Sequence, residues 1–581
     1  MGDDAAACEM TSVAPAELGA PRTAASRVRI SQIGYRPNDP KHGSLADGSK
    51  QRLPWVLRDH AGQVVARGLT WVLGDDPASG DHVHEADFSC VTRPAFGYRL
   101  QIQADSSAPF AIAEDPYSEL RREAFGYFYR HRSGAAINAD LAGDERWQRA
   151  PGHPTDNAVG CHPHAPCTYQ LDASGGWYGD GGMGKYTVGS ALAVWTLQNL
   201  YERQVVLNKS DAALGDGALA IPEAGNGFPD VLDTARWHME WMLRLQVPAE
   251  QRGAGLVHHK LHGDRTPTVG TDPADDPTPR ALRSPTTAAT LSLAAVAAQA
   301  SRVWKQHDPE FAARCLTAAK QAYDAAGINP VLGASDIDLE GGRPYADDDV
   351  TDEAYWAAVE LALATGERKY VEYVEGAPVH LKGPPPTDAG PPPILNWDTL
   401  YGAAMIDFAL VPGPFEAEDT ERMRGLLQSV ADGYMGQVGS GGYRTTLQGR
   451  TYGNSTNFDL LRNAMVLTYV GDFTKQPRYR FAALTSLAWL MGRNPLGRSY
   501  VTGFGSNPVE HPHHVYWSED PPPGMLVNGP NGELSDPVAR NKLRGCSQQK
   551  CYVDDAEASS TNRVSDHGNA ALAWLVTALA D

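Results

Sequence analysis

The stretch "GGWYGDGGMGKYTVGSALAVWTLQNLYERQ", residues 175–204, joins two kinds of sequence without a break. Its first twelve residues are rich in glycine, open on a Trp-Tyr pair and carry a single carboxylate, Asp180. From Lys185 onward, apolar side chains recur at the three- and four-residue spacing of a helix. The stretch therefore predicts a tight loop that leads directly into a buried helix.

The same helical spacing recurs through the rest of the chain after about residue 115. The helical runs are 118–134, 185–204, 228–246, 286–306, 310–327, 351–366, 397–411, 458–473, 478–493 and 568–581. Long connections rich in Gly and Pro separate some of them, at 251–284, 374–395 and 494–550. Many helices with no strand runs between them predict a helical barrel whose connections build a surface cleft.

The N-terminal part has a different pattern. Residues 1–26 are rich in Ala, Ser, Pro and acidic residues, which predicts a flexible tail. Residues 27–114 contain short alternating runs punctuated by Gly, Pro, Asp and Asn, and they predict an all-β sandwich. The predicted strands are the runs at 28–36, 53–59, 63–73, 84–89, 97–104 and 109–113. We therefore expect a tail at 1–26, a sandwich at 27–114 and a helical domain at 115–581.

The amino-acid composition limits the classes of partner that the protein can bind. The 581 residues include 50 basic and 70 acidic side chains, and the formal net charge is -20. Nucleic acids and anionic membranes require a basic surface, so this balance predicts neither partner. No run approaches the roughly 18 apolar residues of a membrane helix, and no signal peptide is visible at the start. A neutral ligand fits the composition better.

Seven cysteines carry positional information. Cys161 and Cys167 bracket "CHPHAPC", and Cys546 and Cys551 bracket "CSQQKC", so each pair can close a small loop. Two local pairs favour disulfides and an oxidising compartment. His162 and His164 make a metal site the rival hypothesis for the first pair. The sequence leaves the pairing of the others open: Cys8, Cys90 and Cys315.

Several long motifs resemble glycoside hydrolase family 9, the inverting cellulases. They are "VRISQIGYRPNDPK" (28–41), "DASGGWYGDGGMGKYTVGSALAVWTLQNLYE" (172–202), "NGFPDVLDTARWHMEWMLRLQ" (226–246), "MGRNPLGRSYVTGFGSNPVEHPHH" (491–514) and "KCYVDDAEASSTNRVSDHGNAALAWL" (550–575). The resemblance covers nearly the whole chain from residue 28. It implies a mainly α protein, an (α/α)6 barrel preceded by a small immunoglobulin-like β-sandwich.

The resemblance breaks at the residues that do the family's chemistry. In the family, the base comes from an Asp-Ala-Gly-Asp element after Gly-Gly-Trp-Tyr, and the acid is a Glu just after Ser-Thr-Asn. This chain has Gly179 and Gly182 at the two aspartates and Arg563 at the glutamate. A guanidinium stays charged and cannot act as a general acid. Val515 also replaces an arginine that commonly follows Pro-His-His in the family.

Three carboxylates are alternative catalytic groups: Asp180, Glu557 and Asp566. Asp180 stands where the family has an alanine, so a solvated or loop-bonding role is the simpler interpretation. Arg563 also has a simple interpretation, an ion pair with Asp555, Glu557 or Asp566. A further hypothesis is that Arg563 makes the groove attractive to an acidic sugar.

Sugar binding requires aromatic platforms and hydrogen-bonding side chains. The resemblance points to a substrate-binding set: Tyr178, His511, His513, His514, Tyr516, Trp517 and Arg563. Tyr516 and Trp517 fall in a long loop and are the better candidates for a surface platform. Trp177, Trp356 and Trp397 also lie in groove-forming segments, but inner-helix core positions explain them equally well. Zinc at the three histidines lacks a completing carboxylate or cysteine.

Asp352, Glu353 and Asp398 correspond to residues that bind calcium in many family members, and oxygen ligands suit that cation. The alternative is an acidic helix start. The chemistry requires no cofactor, so Ca²⁺ would be structural.

We expect a glycoside hydrolase family 9-like protein directed at β-1,4-glucan or a related polysaccharide or oligosaccharide. Because base and acid are replaced, it should be a weak or inactive hydrolase, a glycan-binding pseudoenzyme. One alternative is an active hydrolase with reassigned residues or a different, acidic glycan. The other is a non-catalytic extracellular scaffold. The cysteine pairs and the resemblance predict a secreted or periplasmic protein, and the sequence leaves the oligomeric state open.

Overall fold

A computed structural model describes residues 9–10, 18, 26–165, 167–209, 212–334, 342–383, 393–447 and 452–580. The mainly α class with an N-terminal sandwich is confirmed. In the described part of the chain, no helix is both long and apolar enough to cross a membrane.

The N-terminal domain consists of two packed sheets. Its strands are β1 (Glu9–Met10), β2 (Val28–Arg29), β3 (His42–Ala46), β4 (Pro54–Arg58), β5 (Val64–Leu69), β6 (Trp71–Asp76), β7 (Asp81–Asp87), β8 (Ala95–Ile102), β9 (Asp105–Ser106) and β10 (Phe110–Ile112). One sheet has the order β1-β5-β4-β8-β10, with β9 beside β8, and the other has the order β2-β3-β7-β6. Alternating residues such as Trp55 and Leu57 point into the shared core, as expected for strands that are half buried.

One predicted strand is in fact two. The run at 63–73 breaks at Thr70, so that β5 and β6 belong to different sheets. The buried Thr70 makes the corner by donating its backbone N–H to the Leu53 carbonyl and accepting the Leu53 N–H on Oγ1. β3 was not predicted at all. Two residues of the predicted tail, Glu9 and Met10, pair with Arg67 and Ala66 of β5.

The remaining chain is helical, with short strands in its connections. The helices are α1 (Ser118–Arg130), α2 (Ala139–Ala142), α3 (Val188–Val206), α4 (Asp230–Arg244), α5 (Thr287–Val303), α6 (Pro309–Ile328), α7 (Thr351–Thr365), α8 (Arg368–Gly376), α9 (Tyr401–Leu410), α10 (Ala417–Ser440), α11 (Thr456–Thr474), α12 (Pro477–Leu490), α13 (Pro537–Lys542), α14 (Ser559–Asn562) and α15 (Asp566–Ala578). Short strands are β11 (Val159–Gly160), β12 (Gln170–Leu171), β13 (Lys185–Tyr186), β14 (Val257–His258), β15 (Lys260–Gly263), β16 (Arg280–Leu282) and β17 (Pro285–Thr286).

Six helices form a closed inner ring in which each packs against the next: α3, α5, α7, α9, α11 and α15, which returns to α3. These helices are apolar on nearly every face, so they are stable only when surrounded. Outside them pack α4 on α3, α6 on α5, α8 on α7, α10 on α9, α12 on α11 and α1 on α15. The alternation of inner and outer helices is the (α/α)6 barrel that the sequence predicts.

Two outer helices, α8 and α10, were not predicted. α10 contains glycine and many charged residues, and its buried apolar side chains are few, including Met423, Leu427, Ala431 and Tyr434. This narrow stripe is enough to cover the inner ring, but it gives a weak periodic signal in the sequence.

A buried ion cluster joins the two domains. Glu85 of β7 is 1% exposed and accepts two hydrogen bonds from Arg444 of the helical domain, at 2.8 and 2.9 Å. Arg493 lies 3.5 Å from the same carboxylate, and His42 lies 3.2 Å from it. Because a buried carboxylate is costly without partners, this cluster ties the sandwich firmly to the barrel.

Candidate functional site

A cavity of about 420 Å³ opens at the mouth of the barrel. The glycine-rich loop after Tyr178 forms one wall, and the small β13-β15-β16 sheet forms another. Residues 342–344, residues 513–515 and Arg563 complete it. Four arginines and two aspartates line it, so the cavity carries positive charge although the protein is strongly acidic.

The glycine-rich loop is a tight turn held from both ends. The Gly179 N–H donates to the Gly184 carbonyl at 2.9 Å, and the Gly182 N–H donates back to the Gly179 carbonyl at 3.0 Å. Gly181 has φ +70°, and a side chain there would overlap the His513 carbonyl. Val515 donates its N–H to the Gly181 carbonyl at 2.7 Å. The loop therefore needs glycine at position 181 to press against the 513–515 segment.

Asp180 is the only acidic side chain of this loop and points into the cavity. Its backbone has φ +56°, a left-handed conformation that aspartate tolerates better than most residues. Oδ1 accepts a hydrogen bond from the Tyr345 hydroxyl at 2.9 Å, while Oδ2 is buried and has no partner among the described residues. Burial raises the pKa of Asp180, and the charges of Arg343 and Arg563 oppose the rise.

Asp566 lies beneath the loop at the start of α15, where Ser565 caps the helix by accepting the Gly568 N–H. It is 3% exposed, and its carboxylate accepts hydrogen bonds from Ser190 at 2.7 Å and Tyr127 at 3.1 Å. Burial, followed by the charge of Asp180, raises its pKa to about 7. Asp566 is therefore partly protonated at neutral pH.

Gly179 and Gly182, the glycines that the resemblance aligns with two aspartates, differ in the space around them. A Cβ built on Gly179 would lie 2.9 Å from Cδ2 of Tyr186 and 3.1 Å from Oδ2 of Asp566. The Asp566 carboxylate thus fills space that a side chain at 179 would need. A Cβ on Gly182 meets nothing closer than the Gly179 carbonyl oxygen at 3.7 Å. Position 182 is open toward the cavity.

Arg563 is held by its backbone rather than by an ion pair. Its N–H donates to Asn528 Oδ1 at 2.9 Å, and its carbonyl accepts the Asn528 N–H at 2.8 Å. The half-buried guanidinium lines the cavity. Burial and the neighbouring Arg343 lower its pKa to about 10. Asp180 is the acidic group whose charge acts most strongly on it.

Two sequence-family profiles match this chain. The sequence profile described as Glycosyl hydrolase family 9 matches residues 117–576, and the profile of the Cellulase N-terminal ig-like domain matches residues 23–107. The chain belongs to glycosyl hydrolase family 9. The first profile covers the whole barrel and the second covers most of the sandwich.

Relatives of this family 9 protein are similar along its full length. It is 36% identical to a cellulose 1,4-beta-cellobiosidase of Acetivibrio thermocellus, over 100% of this chain and 69% of that protein. It is 38% identical to endoglucanase C of Cellulomonas fimi, over 96% of this chain and 52% of that protein. The chain therefore spans about half the length of the second relative. The structure of AaCel9A in complex with cellobiose-like isofagomine superposes with a TM-score of 0.83 at 27% identity, covering 95% of this chain and 99% of that one.

The three histidines of the family 9 protein have different surroundings. His513 lines the cavity, and its Nδ1–H donates to the Ala556 carbonyl at 2.6 Å, which leaves Nε2 as an acceptor. His514 is 1% exposed and pairs with Nε2 of His131 at 3.0 Å. Burial lowers the pKa of His513 and of His514, so both are neutral. His511 is exposed, and its backbone N–H donates to Asp554.

The predicted surface platform is wrong. Trp517 is 7% exposed and stacks on His514 at 5.3 Å between ring centroids, and Tyr516 is largely covered, with a buried hydroxyl. Tyr178 is fully buried, and its hydroxyl lies 2.6 Å from His153 Nδ1. These rings pack together because the 513–517 segment folds inward behind the loop.

The remaining tryptophans divide between core and cleft. Trp177 and Trp356 are fully buried, which agrees with the core alternative. Trp397 is partly exposed and packs edge to face on Tyr345 at 5.1 Å. Trp397 is therefore the tryptophan of this set that lies beside the cavity's hydrogen-bonded tyrosine.

The acidic residues near Arg563 do not pair with it. Glu557 is exposed and does not line the cavity, and Asp555 pairs with Lys542 at 2.6 Å. Asp566 is held by hydroxyl groups instead. Of the three alternative catalytic carboxylates, the structure brings Asp180 and Asp566 together and leaves Glu557 apart. Sequence reasoning missed Arg343, which comes from a loop distant in the chain.

The two local cysteine pairs are disulfides, Cys161–Cys167 and Cys546–Cys551. Cys90 is also disulfide-bonded, and Cys315 is a free buried thiol. Cys8 lies outside the described residues. The sulfur atoms of the first pair lie near His258 rather than the predicted His162 and His164.

Glu353, one of the predicted calcium ligands, is a buried carboxylate without a cationic partner among the described residues. It is fully buried at the start of α7, no N–H or hydroxyl group in the described part of the chain donates to its oxygens, and its carboxyl faces that of Asp352. Burial and the charge of Asp352 raise its pKa well above the usual range. Asp352 accepts the Leu400 N–H, and Asp398 is exposed. A buried, unpartnered carboxylate among acids fits a hard cation.

Proposed function

We propose that the chain binds a β-1,4-glucan or a related polysaccharide in this cavity and hydrolyses it weakly or not at all. Membership of family 9 supports the choice of ligand, as do the names of its relatives and the inhibitor held by AaCel9A. One observation supports the proposal that hydrolysis is weak or absent. The side chains at positions 179, 182 and 563 supply no carboxyl group, and the guanidinium of Arg563 lines the cavity.

Inverting hydrolysis needs two carboxyl groups on opposite faces of the sugar. One protonates the departing oxygen and the other activates water, at a separation of about 6.5–9.5 Å. Each group is worth roughly 10² to 10⁴ in rate. Arg563 can stabilise negative charge, but with a pKa of about 10 it does not release its proton to a leaving group at neutral pH.

The residues present are suited to holding a sugar. Nε2 of His513 can accept a hydrogen bond from a sugar hydroxyl, and the unpartnered Oδ2 of Asp180 can accept a hydrogen bond from another hydroxyl. Arg563 donates to ring or hydroxyl oxygens. Asp352, Glu353 and Asp398 would hold a Ca²⁺, which would neutralise the buried carboxylate and fix the start of α7. Its role would be structural.

The test measures binding and cleavage on the same protein. Calorimetry with cellohexaose should give binding, and reducing-sugar release from amorphous cellulose should be at least about 10²-fold below an active relative. Gly182→Asp with Arg563→Glu should then restore measurable cleavage because position 182 has room for the side chain. Gly425→Asp is the matched control, since it adds a carboxylate to exposed, open space on α10.

Two results would contradict the proposal. Cleavage of cellulose by the unaltered chain at a rate within a few-fold of a relative would remove the pseudoenzyme half. No affinity for any β-1,4-glucan or related polysaccharide would remove the binding half and favour a scaffold.

A second candidate is a hydrolase that uses Asp180 and Asp566, and the contact between Asp566 and the Gly179 position favours it. Both carboxylates lie on the side where the resemblance places the base, so they could activate water but could not protonate a leaving group across the sugar. Such an enzyme would cleave 2,4-dinitrophenyl β-cellobioside, whose leaving group needs no proton, and would leave cellulose intact. Asp180→Asn should abolish that cleavage, and an unchanged rate would exclude the candidate.

We also propose that the chain works outside the cytoplasm. The two local disulfides support this, because such bonds persist in oxidising compartments. Fractionation of the expressing cells tests it, and recovery of the protein only from the cytoplasm would contradict it.

A further inference from the structure

We propose that Arg343 and Arg563 together bind the carboxylate of an acidic sugar, so that the preferred ligand is a β-linked glycan carrying uronic acid residues. This inference rests on the proposed function and specifies the ligand class of the same cavity.

The two guanidinium groups face one space. Arg343 comes from the loop at 342–344, and Arg563 follows α14, yet both line the same cavity and both are half-buried. Among the described residues, neither has an acidic partner within ion-pair distance. The charge of Arg343 acts directly on Arg563, where, after burial, it contributes most to lowering the pKa. Two like charges held together in a partly buried wall gain when an anion enters between them.

Arg265 is exposed at the rim of the cavity, and the charges on the wall formed by Arg280 and Asp276 are already paired. Arg280 lies 3.0 Å from Asp156, which also binds Lys185 at 2.8 Å. Asp276 lies 3.2 Å from His153. These groups leave little free charge on that wall.

The remaining groups that face the pair are neutral or acidic. Burial lowers the pKa of His513 and brings that of His262 to about 3, so neither ring is charged at neutral pH. Burial also raises the pKa of Tyr186 and Tyr345, and their hydroxyls stay protonated. Lys260 donates to the Arg343 carbonyl and holds that loop in place.

Asp180 and Asp566 lie near the two arginines, and their negative charge reduces the positive charge that Arg343 and Arg563 give the cavity. Asp180 accepts a hydrogen bond from Tyr345, and burial raises its pKa against the opposing charges of Arg343 and Arg563, whereas Asp566 is partly protonated. The free cavity therefore retains a positive charge next to Oδ2 of Asp180, which has no partner. A uronic acid fits both groups. Its planar carboxylate can accept hydrogen bonds from the guanidinium groups, and its neighbouring hydroxyls can donate to Asp180.

Non-specific attraction cannot explain such a preference. The formal net charge of the protein is -20, so a polyanionic glycan is repelled by the surface as a whole. Tighter binding of the acidic ligand must then arise at a local cluster of cations.

The experiment compares two ligands with one backbone, cellohexaose and its C6-oxidised counterpart, in which the sugars carry carboxylates. Calorimetry with the full chain at pH 7 and 0.15 M salt should give about tenfold or greater preference for the oxidised ligand. Arg343→Gln and Arg563→Gln should each bring the ratio of the two affinities toward one. Arg252→Gln, at an exposed arginine that does not line the cavity, is the matched control and should keep the ratio.

The outcomes separate this inference from the proposed function. Equal affinity for the two hexamers would overturn the acidic-sugar inference and leave glucan binding standing. An oxidised-ligand preference that survives Arg343→Gln and Arg563→Gln would also overturn it, because another site would then be responsible. Binding of neither ligand would refute both. A melting curve for each variant confirms that it is folded, and Arg343 lies in a surface loop where glutamine is readily accommodated.

Discussion

Replacing Asp566 with asparagine should stabilise the protein, and the gain should grow with pH. The Asp566 carboxyl is almost inaccessible to water, and its partners are the hydroxyls of Ser190 and Tyr127. No cation pairs with it in the described residues, and Asp180 repels it. Asparagine keeps the shape and removes the charge that burial disfavours, and it accepts one of the two hydroxyls on Oδ1 while its Nδ2 donates to the other.

The size and sign of the stability change follow from the pKa of Asp566. It rises from 3.8 in the unfolded chain to about 7 in the folded one, and each unit corresponds to 1.36 kcal/mol. The folded protein thus has full stability from this group below about pH 4, and loses about 4 kcal/mol as pH rises through 7. Asp566→Asn does not incur this loss. At about 2.1 cal/mol/K of unfolding entropy per residue, the barrel at residues 117–576 shifts by about 1 °C per kcal/mol.

Scanning calorimetry of both proteins between pH 4 and 8 provides the assay. The difference in Tm should be small at pH 4 and should reach about 4 °C in favour of Asp566→Asn above pH 7. Asp308→Asn is the control, because Asp308 caps α6 and its pKa is lowered by the Phe311 N–H. Its variant should gain nothing as pH rises. A Tm difference for Asp566→Asn that stays constant or shrinks with pH would refute the reasoning.

Three further changes test other parts of the structure. Glu85→Gln leaves Arg444 without its buried partner and should cost about 3–5 kcal/mol above pH 5, measured as a lower Tm. The charges of His42 and Arg444 hold the pKa of Glu85 in the folded protein well below its usual range despite burial, so the cost should fall below about pH 4 because the unfolded chain then takes up a proton that the folded protein does not, and a pH-independent loss would contradict the ion-pair account. Gly181→Ala should lose at least about 1–2 kcal/mol and weaken cellohexaose binding, because the added methyl overlaps the His513 carbonyl; unchanged calorimetric affinity and Tm would show that the loop adapts. Glu353→Gln should raise the Tm measured in EDTA, because it removes a buried carboxylate without a cationic partner among the described residues. It should also abolish the stabilisation that saturating Ca²⁺ gives the unaltered protein, about 2.7 kcal/mol at a hundredfold excess over Kd, and an intact Ca²⁺ response would place the ion elsewhere.

Much of the barrel was predictable because its inner helices and several outer ones carry many apolar side chains at helical spacing. The run at 351–366 matches α7 (Thr351–Thr365) closely, and the run at 310–327 matches α6 (Pro309–Ile328). In both cases the helix start is marked by residues that favour helix N-termini, acids in the first turn or Asp308 as a cap. Local signals and burial agree at these positions, so the sequence alone suffices.

Tertiary context decided the elements that the sequence did not predict. α10 buries only a narrow stripe, so its pattern is dominated by the charged and glycine residues that face water. The division of 63–73 into β5 and β6 depends on a bond between Thr70 and Leu53, seventeen residues apart. Neither feature has a local signature.

The candidate site shows the same division. Gly179, Gly182 and Arg563, which the resemblance aligns with the family's acids, could be singled out from motifs because the flanking residues are contiguous. Trp517 could not be placed, since its burial depends on the loop folding back over His514. The proximity of Arg343 to Arg563 joins segments more than two hundred residues apart, and only the closed ring of helices brings them together.

The contact between Gly179 and Asp566 also constrains how this protein could change over generations. A single substitution at 182 meets open space, so a carboxylate can be gained there in one step. A side chain at 179 is admitted only when the Tyr186 ring and the Asp566 carboxylate both shift, because its Cβ would lie 2.9 Å from Tyr186 Cδ2 and 3.1 Å from Asp566 Oδ2. A carboxylate at 179 therefore depends on accompanying changes in β13 and α15, whereas one at 182 depends on none.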